Sequence, residues 1–103
     1  MISPDDINLP KEVRPEVMLF ARYMERQLRY NESRGKGDSW RTWTLKELWI
    51  KLKEEHKELK DEIHLTPVPI YNAVCHEALD VACVCMFIFI NSMGKLFSGG
   101  KVP

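Results

Sequence analysis

The sequence predicts an all-α protein, a small antiparallel bundle of three main helices in which a short extra helix is allowed. In two segments, apolar residues recur at the spacing of a helical stripe, and helix start and stop signals bracket both. A third segment, Val81 to Ile90, is apolar on every side. At 103 residues the chain has room for one hydrophobic core, so we expect a single domain over residues 1–103.

The first helix is expected from Pro15 to about Ser33. Proline is favoured in a first helical turn, and here it follows a lead-in, residues 1–13, that contains two more prolines and is expected to be flexible. We predict that the apolar stripe of this helix packs into the core. The stripe consists of Val17, Phe20, Ala21, Met24 and Leu28.

The second helix is predicted to start after Thr44, which can form a capping box with Glu47 three positions on. It should end near His64, because the Thr-Pro-Val-Pro sequence at 66–69 cannot continue a helix. His56 projects near the centre of the apolar face and is predicted to be a hydrogen-bonded core histidine. The residues of that face are Leu45, Leu48, Trp49, Leu52, Leu59 and Ile63.

The third helix is expected to begin between Pro69 and Asn72 and to run to about Met93, where Gly94 is placed to terminate it. The tail, 95–103, is expected to fray. A helix that is apolar all round must be covered on all sides, and two partner helices are too few. We therefore expect homo-oligomerisation, as a homodimer or homotetramer, to complete the core.

Composition narrows the possible partners and the compartment. Lys plus Arg equals Asp plus Glu, which disfavours binding to nucleic acid or to an acidic membrane surface. The longest apolar run, Val81 to Ile90, is too short to span a membrane, and the N-terminus does not resemble a signal peptide. Three cysteines in an apolar helical stretch suggest reduced, buried thiols, so a cytoplasmic location is expected.

Two pairs of carboxylates stand three residues apart, Glu55 with Glu58 and Glu77 with Asp80. Each pair projects from one face of its helix, so antiparallel packing would bring all four together without a His or Cys ligand. Two carboxylates repel by about 4 kcal/mol at ~4 Å and an effective dielectric near 20. Such a cluster needs a cation, and oxygen-only ligation suits Mg²⁺ or Mn²⁺.

Helical projection separates the two adjacent glutamates of the second helix. Glu55 falls at the margin of the apolar face, and Glu58 lies further round the same flank. Glu54 falls almost opposite, which predicts a solvated residue or one at a contact between subunits.

The segment from 31 to 43 has two interpretations. Lys36 and Arg41, with Lys51 of the next helix, could neutralise phosphates, and Trp40 or Trp43 could stack on a base. Alternatively, the segment is an ordinary solvated turn whose tryptophans cover the edge of the core. The spacing of a P-loop is absent.

The acidic residues together resemble the signature of the MazG-like family of all-α nucleoside triphosphate pyrophosphohydrolases. That signature is EExxE, a gap of a dozen to under thirty residues, and ExxD, which here spans Glu54 to Glu58 and Glu77 to Asp80. The resemblance extends over roughly 19–93. The stretch from Gly37 to Trp43, followed by a capped helix, also looks like the dATP/dGTP pyrophosphohydrolase branch.

The resemblance implies Mg²⁺-dependent cleavage of an NTP or dNTP between the α- and β-phosphates, giving a nucleoside monophosphate and pyrophosphate. Glu55, Glu58, Glu77 and Asp80 match the metal ligands of the family, and one of them would activate the attacking water. Glu54 matches the first glutamate of the signature and is a weaker candidate for contact with substrate.

Two other interpretations are weighed against this one. A non-catalytic relative of the same fold would bind nucleotides, or dimerise, without hydrolysis. A di-iron carboxylate protein needs Glu-x-x-His pairs, and neither acidic motif has His at its fourth position.

Overall fold

The computed structural model describes residues 2, 8–35, 37–65 and 67–97. It contains three α-helices, α1 (Pro15–Ser33), α2 (Leu45–His64) and α3 (Tyr71–Phe97), and a short 3-10 helix (Asp38–Thr42) between α1 and α2. No strand occurs in the described part of the chain. The predicted all-α class, with three main helices and one short extra helix, is confirmed.

The predicted starts of the helices are confirmed, and the start of α2 is the best defined. The backbone N–H of Glu47 donates to Thr44 Oγ1 over 3.1 Å, and the backbone N–H of Thr44 donates to Glu47 Oε1 over 3.0 Å. These two bonds form a complete capping box. At α1, Pro15 occupies the first turn, and Arg14 makes no side-chain capping bond.

The prediction that Gly94 terminates α3 is wrong. Gly94 is buried within the helix, which continues to Phe97, so the first residues of the predicted frayed tail are helical. The rest of that tail, 98–103, lies outside the described residues. Among the described residues, the glycine with positive φ is Gly35, at +76°, directly after α1. Its N–H donates to the carbonyl of Glu32, as expected of a left-handed residue after a helix.

The core lies mainly between α2 and α3, and both α1 and the 3-10 helix also contact α3. Leu48 is fully buried, and Cys83 and Val84 of α3 are nearly so. Trp40, in the 3-10 helix, stacks on Phe87 with ring centroids 4.2 Å apart and the planes 12° from parallel.

Asn91 fixes the segment before α2 onto α3. Its side-chain amide donates to the carbonyl oxygen of Trp40 over 3.0 Å and to that of Trp43 over 3.3 Å. These bonds hold the 3-10 helix against the same face of α3 that contains Val84.

The buried face of α2 is rotated relative to the prediction. Leu48, Glu55 and Leu59 project within about 40° of one another at ~100° per residue, and they are buried or half-buried. The predicted face extended round to Leu45, Trp49 and Ile63, which are exposed. His56 is also exposed, so the prediction of a core histidine is wrong. The reason is that α3 packs against the Leu48 side of α2.

The predicted packing of the α1 stripe into the core is confirmed only in part: Met24 and Leu28 are half-buried and α1 contacts α3, whereas the rest of the stripe is exposed. No residue of α1 is buried, and Val17 and Phe20 are 54% and 43% exposed. Much apolar surface is therefore left uncovered.

The prediction that the chain has no membrane span rests on the length of the apolar run from Val81 to Ile90. Helix α3 extends well beyond this run. Over an 18-residue window its mean hydropathy is 2.0, and 11% of that window is buried. By length and composition alone, this helix could cross a membrane.

Candidate metal centre

Carboxylates from α2 and α3 converge on one side of the interface between these helices. One oxygen each from Glu55, Glu58 and Glu77 lie within 4.8 Å of one another. A second trio, within the same distance, consists of His76, Glu77 and Asp80. Glu77 belongs to both trios, so it links all four predicted ligands.

Local structure explains why these side chains meet. Glu55 lies at the centre of the buried face of α2 rather than at its margin, and is only 8% exposed. On α3, Glu77 and Asp80 share the predicted face with Ala73, Val84 and Asn91, each of which is buried or half-buried. The two helices therefore place acids where two apolar faces would otherwise meet.

Two carboxylate oxygens of this centre are buried without a hydrogen-bond partner, Glu55 Oε2 and Glu77 Oε2. Leaving such a buried acceptor unsatisfied costs about 1–3 kcal/mol, and more for a charged group. A divalent cation bound between the acids would satisfy both oxygens, and an all-oxygen ligand set suits Mg²⁺ or Mn²⁺. The residues present thus fit a hard divalent cation.

The electrostatics of the centre favour added positive charge. Burial raises the pKa of Glu55, and the neighbouring Glu58 raises it further, while Lys51 partly opposes both. Burial also raises the pKa of Glu77, followed by the negative charge of Asp80. Each carboxylate therefore holds its negative charge at a cost that a cation would remove.

Lys51 is the basic side chain in contact with this centre. Its Nζ lies 3.1 Å from Glu55 Oε1 and 3.6 Å from Glu54 Oε2. Burial lowers the pKa of Lys51, but the hydrogen bond to Glu55 and the surrounding glutamate charges outweigh burial and raise it above its ordinary value. Lys51 is therefore charged at neutral pH.

A cleft of ≈740 Å³ has Lys51 on its wall, whereas none of the four predicted metal ligands lines it. This volume falls in the range of small-molecule sites. Trp40, Arg41 and Trp43 also line it, so four of the predicted substrate-contacting residues share one cleft. Lys36 lies outside the described residues. Glu54 is exposed and lines a separate cleft of ≈300 Å³, together with Trp43 and Lys51.

The two tryptophans have different surroundings in this cleft. Trp40 is buried, one ring face stacks on Phe87, and the guanidinium of Arg41 lies 4.5 Å from its ring centroid. This matches the interpretation in which a tryptophan covers the core. Trp43 is only half-buried, so the prediction of base stacking rests mainly on it.

The sequence interpretation left out His76. Its Nε2 lies 3.5 Å from Asp80 Oδ2, which places an imidazole beside the carboxylates. The signal was its position four residues before Asp80, on the same helical face.

The three cysteines are free and differ in exposure. Cys83 is buried as predicted, whereas Cys75 and Cys85 are exposed. Burial, followed by the charges of Asp80 and Glu55, raises the pKa of Cys83 to about 11, so this thiol stays protonated at neutral pH.

Comparison with protein-family models, with curated proteins and with solved structures produced no match for this chain. The likeness to MazG-like enzymes is therefore one of motif and spacing, carried by residues 54–58 and 77–80.

Proposed function

We propose that this protein is a nucleoside triphosphate pyrophosphohydrolase of the MazG-like type, which converts an NTP or dNTP to the monophosphate and pyrophosphate. It would depend on Mg²⁺, with Mn²⁺ as a substitute. The main support is that Glu55 and Glu77 converge from two helices, each with a buried oxygen that lacks a partner. The cleft that shares Lys51 with the centre has the volume of a small-molecule site and contains two cations and two indoles, beside the acids Glu25, Glu32 and Asp38.

Glu55, Glu58 and Glu77, with Asp80 beside them, would hold the cation. When bound, the cation would neutralise charge on the triphosphate and lower the pKa of a coordinated water. A water oxygen would attack the α-phosphorus, and one carboxylate of the centre would accept its proton. The bond from the α-phosphorus to the bridging oxygen breaks, and that oxygen leaves with pyrophosphate.

The cleft supplies the remaining contacts. Trp43 would stack on the base, and its partly exposed indole is available for this. Arg41 lines the same cleft as Lys51 and would add a second positive charge for the phosphates. Phe87 and Ile90 give part of the cleft wall an apolar surface.

The test is pyrophosphate release from a panel of NTPs and dNTPs with Mg²⁺ or Mn²⁺. Glu77→Gln is expected to lower turnover by on the order of 10²–10³, the size of effect seen when a charge-stabilising group is lost. Glu62→Gln is the matched control, because Glu62 is half-buried on α2 outside both trios. Near-normal turnover in a folded Glu77→Gln variant would remove this residue from the site.

A non-catalytic nucleotide-binding or dimerising protein is the second candidate. The pairing of Lys51 with Glu55 favours it, because an internal cation already offsets part of the acidic charge. This candidate predicts that nucleotide with Mg²⁺ raises the melting temperature while no pyrophosphate is released from any member of the panel.

We also propose that α2 and α3 pack antiparallel and that the core is completed in a cytoplasmic homodimer or homotetramer. Glu55 and Glu58, in the second half of α2, lie beside Glu77, in the first half of α3, as an antiparallel hairpin requires. Self-association accounts for the exposed apolar residues of α1, whereas membrane insertion of α3 alone would leave them uncovered.

Light scattering coupled to size exclusion tests this. The wild type is expected at a multiple of 12.1 kDa. Leu19→Arg, at a 57% exposed position of α1, should lower that mass, whereas Leu65→Arg, at a 75% exposed position after α2, should not. A wild-type monomer, or a protein that stays in solution only with detergent, would contradict the proposal.

A further inference from the structure

Lys51 stands between the acidic centre and the cleft. Its Nζ contacts Glu55 Oε1 at 3.1 Å on one side, while its side chain lines the ≈740 Å³ cleft on the other. The side chain is 42% exposed, so it has room to change its direction. A four-carbon flexible stem lets lysine reposition its charge by several ångström.

The two oxygens of Glu55 have unequal surroundings. Oε1 is paired with Lys51, whereas Oε2 is buried and has no hydrogen-bond partner. The single charge of Lys51 therefore offsets part of the negative charge of the trio and leaves Oε2 of both Glu55 and Glu77 unsatisfied. A divalent cation would satisfy those oxygens and would repel the ammonium group that is already close to them.

The other cation on the wall of this cleft is held elsewhere. Among the described lining residues, Arg41 pairs with Asp38 over 3.5 Å and lies 4.5 Å from the ring centroid of Trp40. Its planar guanidinium is engaged by a carboxylate and an indole at once. Lys51 is the cleft cation whose present partner is itself a candidate metal ligand.

We propose that Lys51 exchanges partners, pairing with Glu55 in the cation-free protein and binding the triphosphate in the cleft once a divalent cation occupies the centre. This inference rests on the proposed function, because it names how that site couples metal binding to substrate binding. The two events then assist each other: the cation releases Lys51, and the triphosphate gives it a new partner.

If Lys51 exchanges partners, its removal should affect two affinities in opposite directions, one for the divalent cation and one for the triphosphate. Without Lys51, a divalent cation meets no competitor at Glu55, so Lys51→Met should bind Mn²⁺ about tenfold more tightly when nucleotide is absent, which corresponds to about 1.4 kcal/mol. The same variant loses a phosphate contact, so its KM for the preferred dNTP should rise about tenfold or more at saturating Mn²⁺. A residue with only a structural role would weaken both.

The experiment measures Mn²⁺ binding by the loss of the free-Mn²⁺ electron paramagnetic resonance signal, with no nucleotide present, and KM and kcat separately. The variants are Lys51→Met, Lys51→Arg and the control Lys53→Met, which removes an exposed charge from the same helix. We expect Lys53→Met to match the wild type and Lys51→Arg to keep a KM closer to it than Lys51→Met does.

The outcomes separate the two proposals. If the wild type binds no Mn²⁺ and releases no pyrophosphate, the proposed function fails and the exchange fails with it. If the wild type binds Mn²⁺ and turns over nucleotide, but Lys51→Met leaves Mn²⁺ affinity unchanged or weakens it, the exchange alone is overturned. Tighter Mn²⁺ binding together with a higher KM supports it.

Discussion

The interface between α2 and α3 differs from the surface of α1 in both packing and chemistry. The α2 side contains fully buried Leu48 and nearly buried Glu55, whereas no residue of α1 is buried. The charged centre and the densest part of the core thus share one interface. The acidic centre is thus built from two of the three helices, whereas α1 contributes to the wall of the cleft and leaves apolar side chains exposed.

The largest difference in stability between the α2–α3 interface and the surface of α1 is expected from two leucine-to-alanine substitutions. Leu48→Ala should lower the free energy of unfolding by about 2–5 kcal/mol, because it removes a fully buried side chain. Leu19→Ala, at a 57% exposed site, should cost under about 1 kcal/mol in dilute solution. Urea unfolding at several protein concentrations measures both. If the cost of Leu19→Ala is large and depends on concentration, the α1 surface is buried in an oligomer.

The second largest effect on the free energy of unfolding is expected from a divalent cation bound at the acidic centre between α2 and α3. At a concentration 100 times its Kd, Mn²⁺ is expected to raise the free energy of unfolding by about 2.7 kcal/mol. Glu55→Gln should remove most of this gain, because it replaces a nearly buried ligand. Thermal unfolding with Mn²⁺ and with chelator measures the effect. Equal stabilisation of the wild type and the variant would show that the cation binds elsewhere.

The pH dependence of the cation-free protein tests the same centre. The pKa values of Glu55 and Glu77 are raised above their ordinary value of 4.5, so the folded chain holds protons that the unfolded chain releases. Their contribution to stability is therefore complete below about pH 4.5 and is lost as the pH rises through the raised values. Unfolding with chelator at pH 5 and pH 8 should show this loss, and Glu77→Gln should reduce it. A stability that is flat over this range would contradict the raised pKa values.

A smaller difference in stability is expected between substitutions at the start of α2 and at the start of α1. Thr44→Ala removes the capping box of α2 and should cost about 1 kcal/mol. Arg14→Ala, at the start of α1, should cost clearly less, because Arg14 makes no side-chain capping bond. Chemical denaturation of both variants provides the comparison. Equal costs would mean that α1 is held by contacts made outside its first turn.

The smallest effect is expected from the surface ion pair of α1. Arg29 and Glu25 are 2.9 Å apart, but their side chains are 76% and 58% exposed. Arg29→Ala should therefore change the free energy of unfolding by about 0.5 kcal/mol or less. A larger and salt-insensitive loss, measured by denaturation at low and high ionic strength, would show that this part of α1 is covered in solution.

Local signals predicted the helices well. Pro15, the capping box at Thr44 and Glu47, and the two prolines after 64 each act within a few residues of the chain. Spacing within one helix likewise predicted that Glu55 and Glu58 share a flank. Such features depend on backbone sterics and on hydrogen bonds made nearby.

The errors concern contacts between distant residues. The apolar face of α2 was centred too close to Trp49 and His56, because a helical projection weights exposed and buried apolar residues alike. Because of the same shift, the projection puts Glu55 at the margin of the apolar face. In the structure Glu55 lies at the centre of the buried face and is 8% exposed. Gly94 is typical of a helix stop, yet it lies buried within α3, where packing decides its role. His76 is different, because its contact with Asp80 lies within α3 and its spacing of four residues was a signal present in the sequence.

The sequence by itself determined the class of fold, the helix starts and the four carboxylates that share a motif. Other features depend on the tertiary structure. Glu77 links two groups of candidate ligands, and Lys51 contacts Glu55 and also lines the cleft. Trp40 is buried, whereas Trp43 is half-buried. These two groups of features differ in how far along the chain the interactions that set them extend. Helix propensity and capping are set by neighbours in sequence, whereas burial and the distances between charges depend on which faces of separate helices come together.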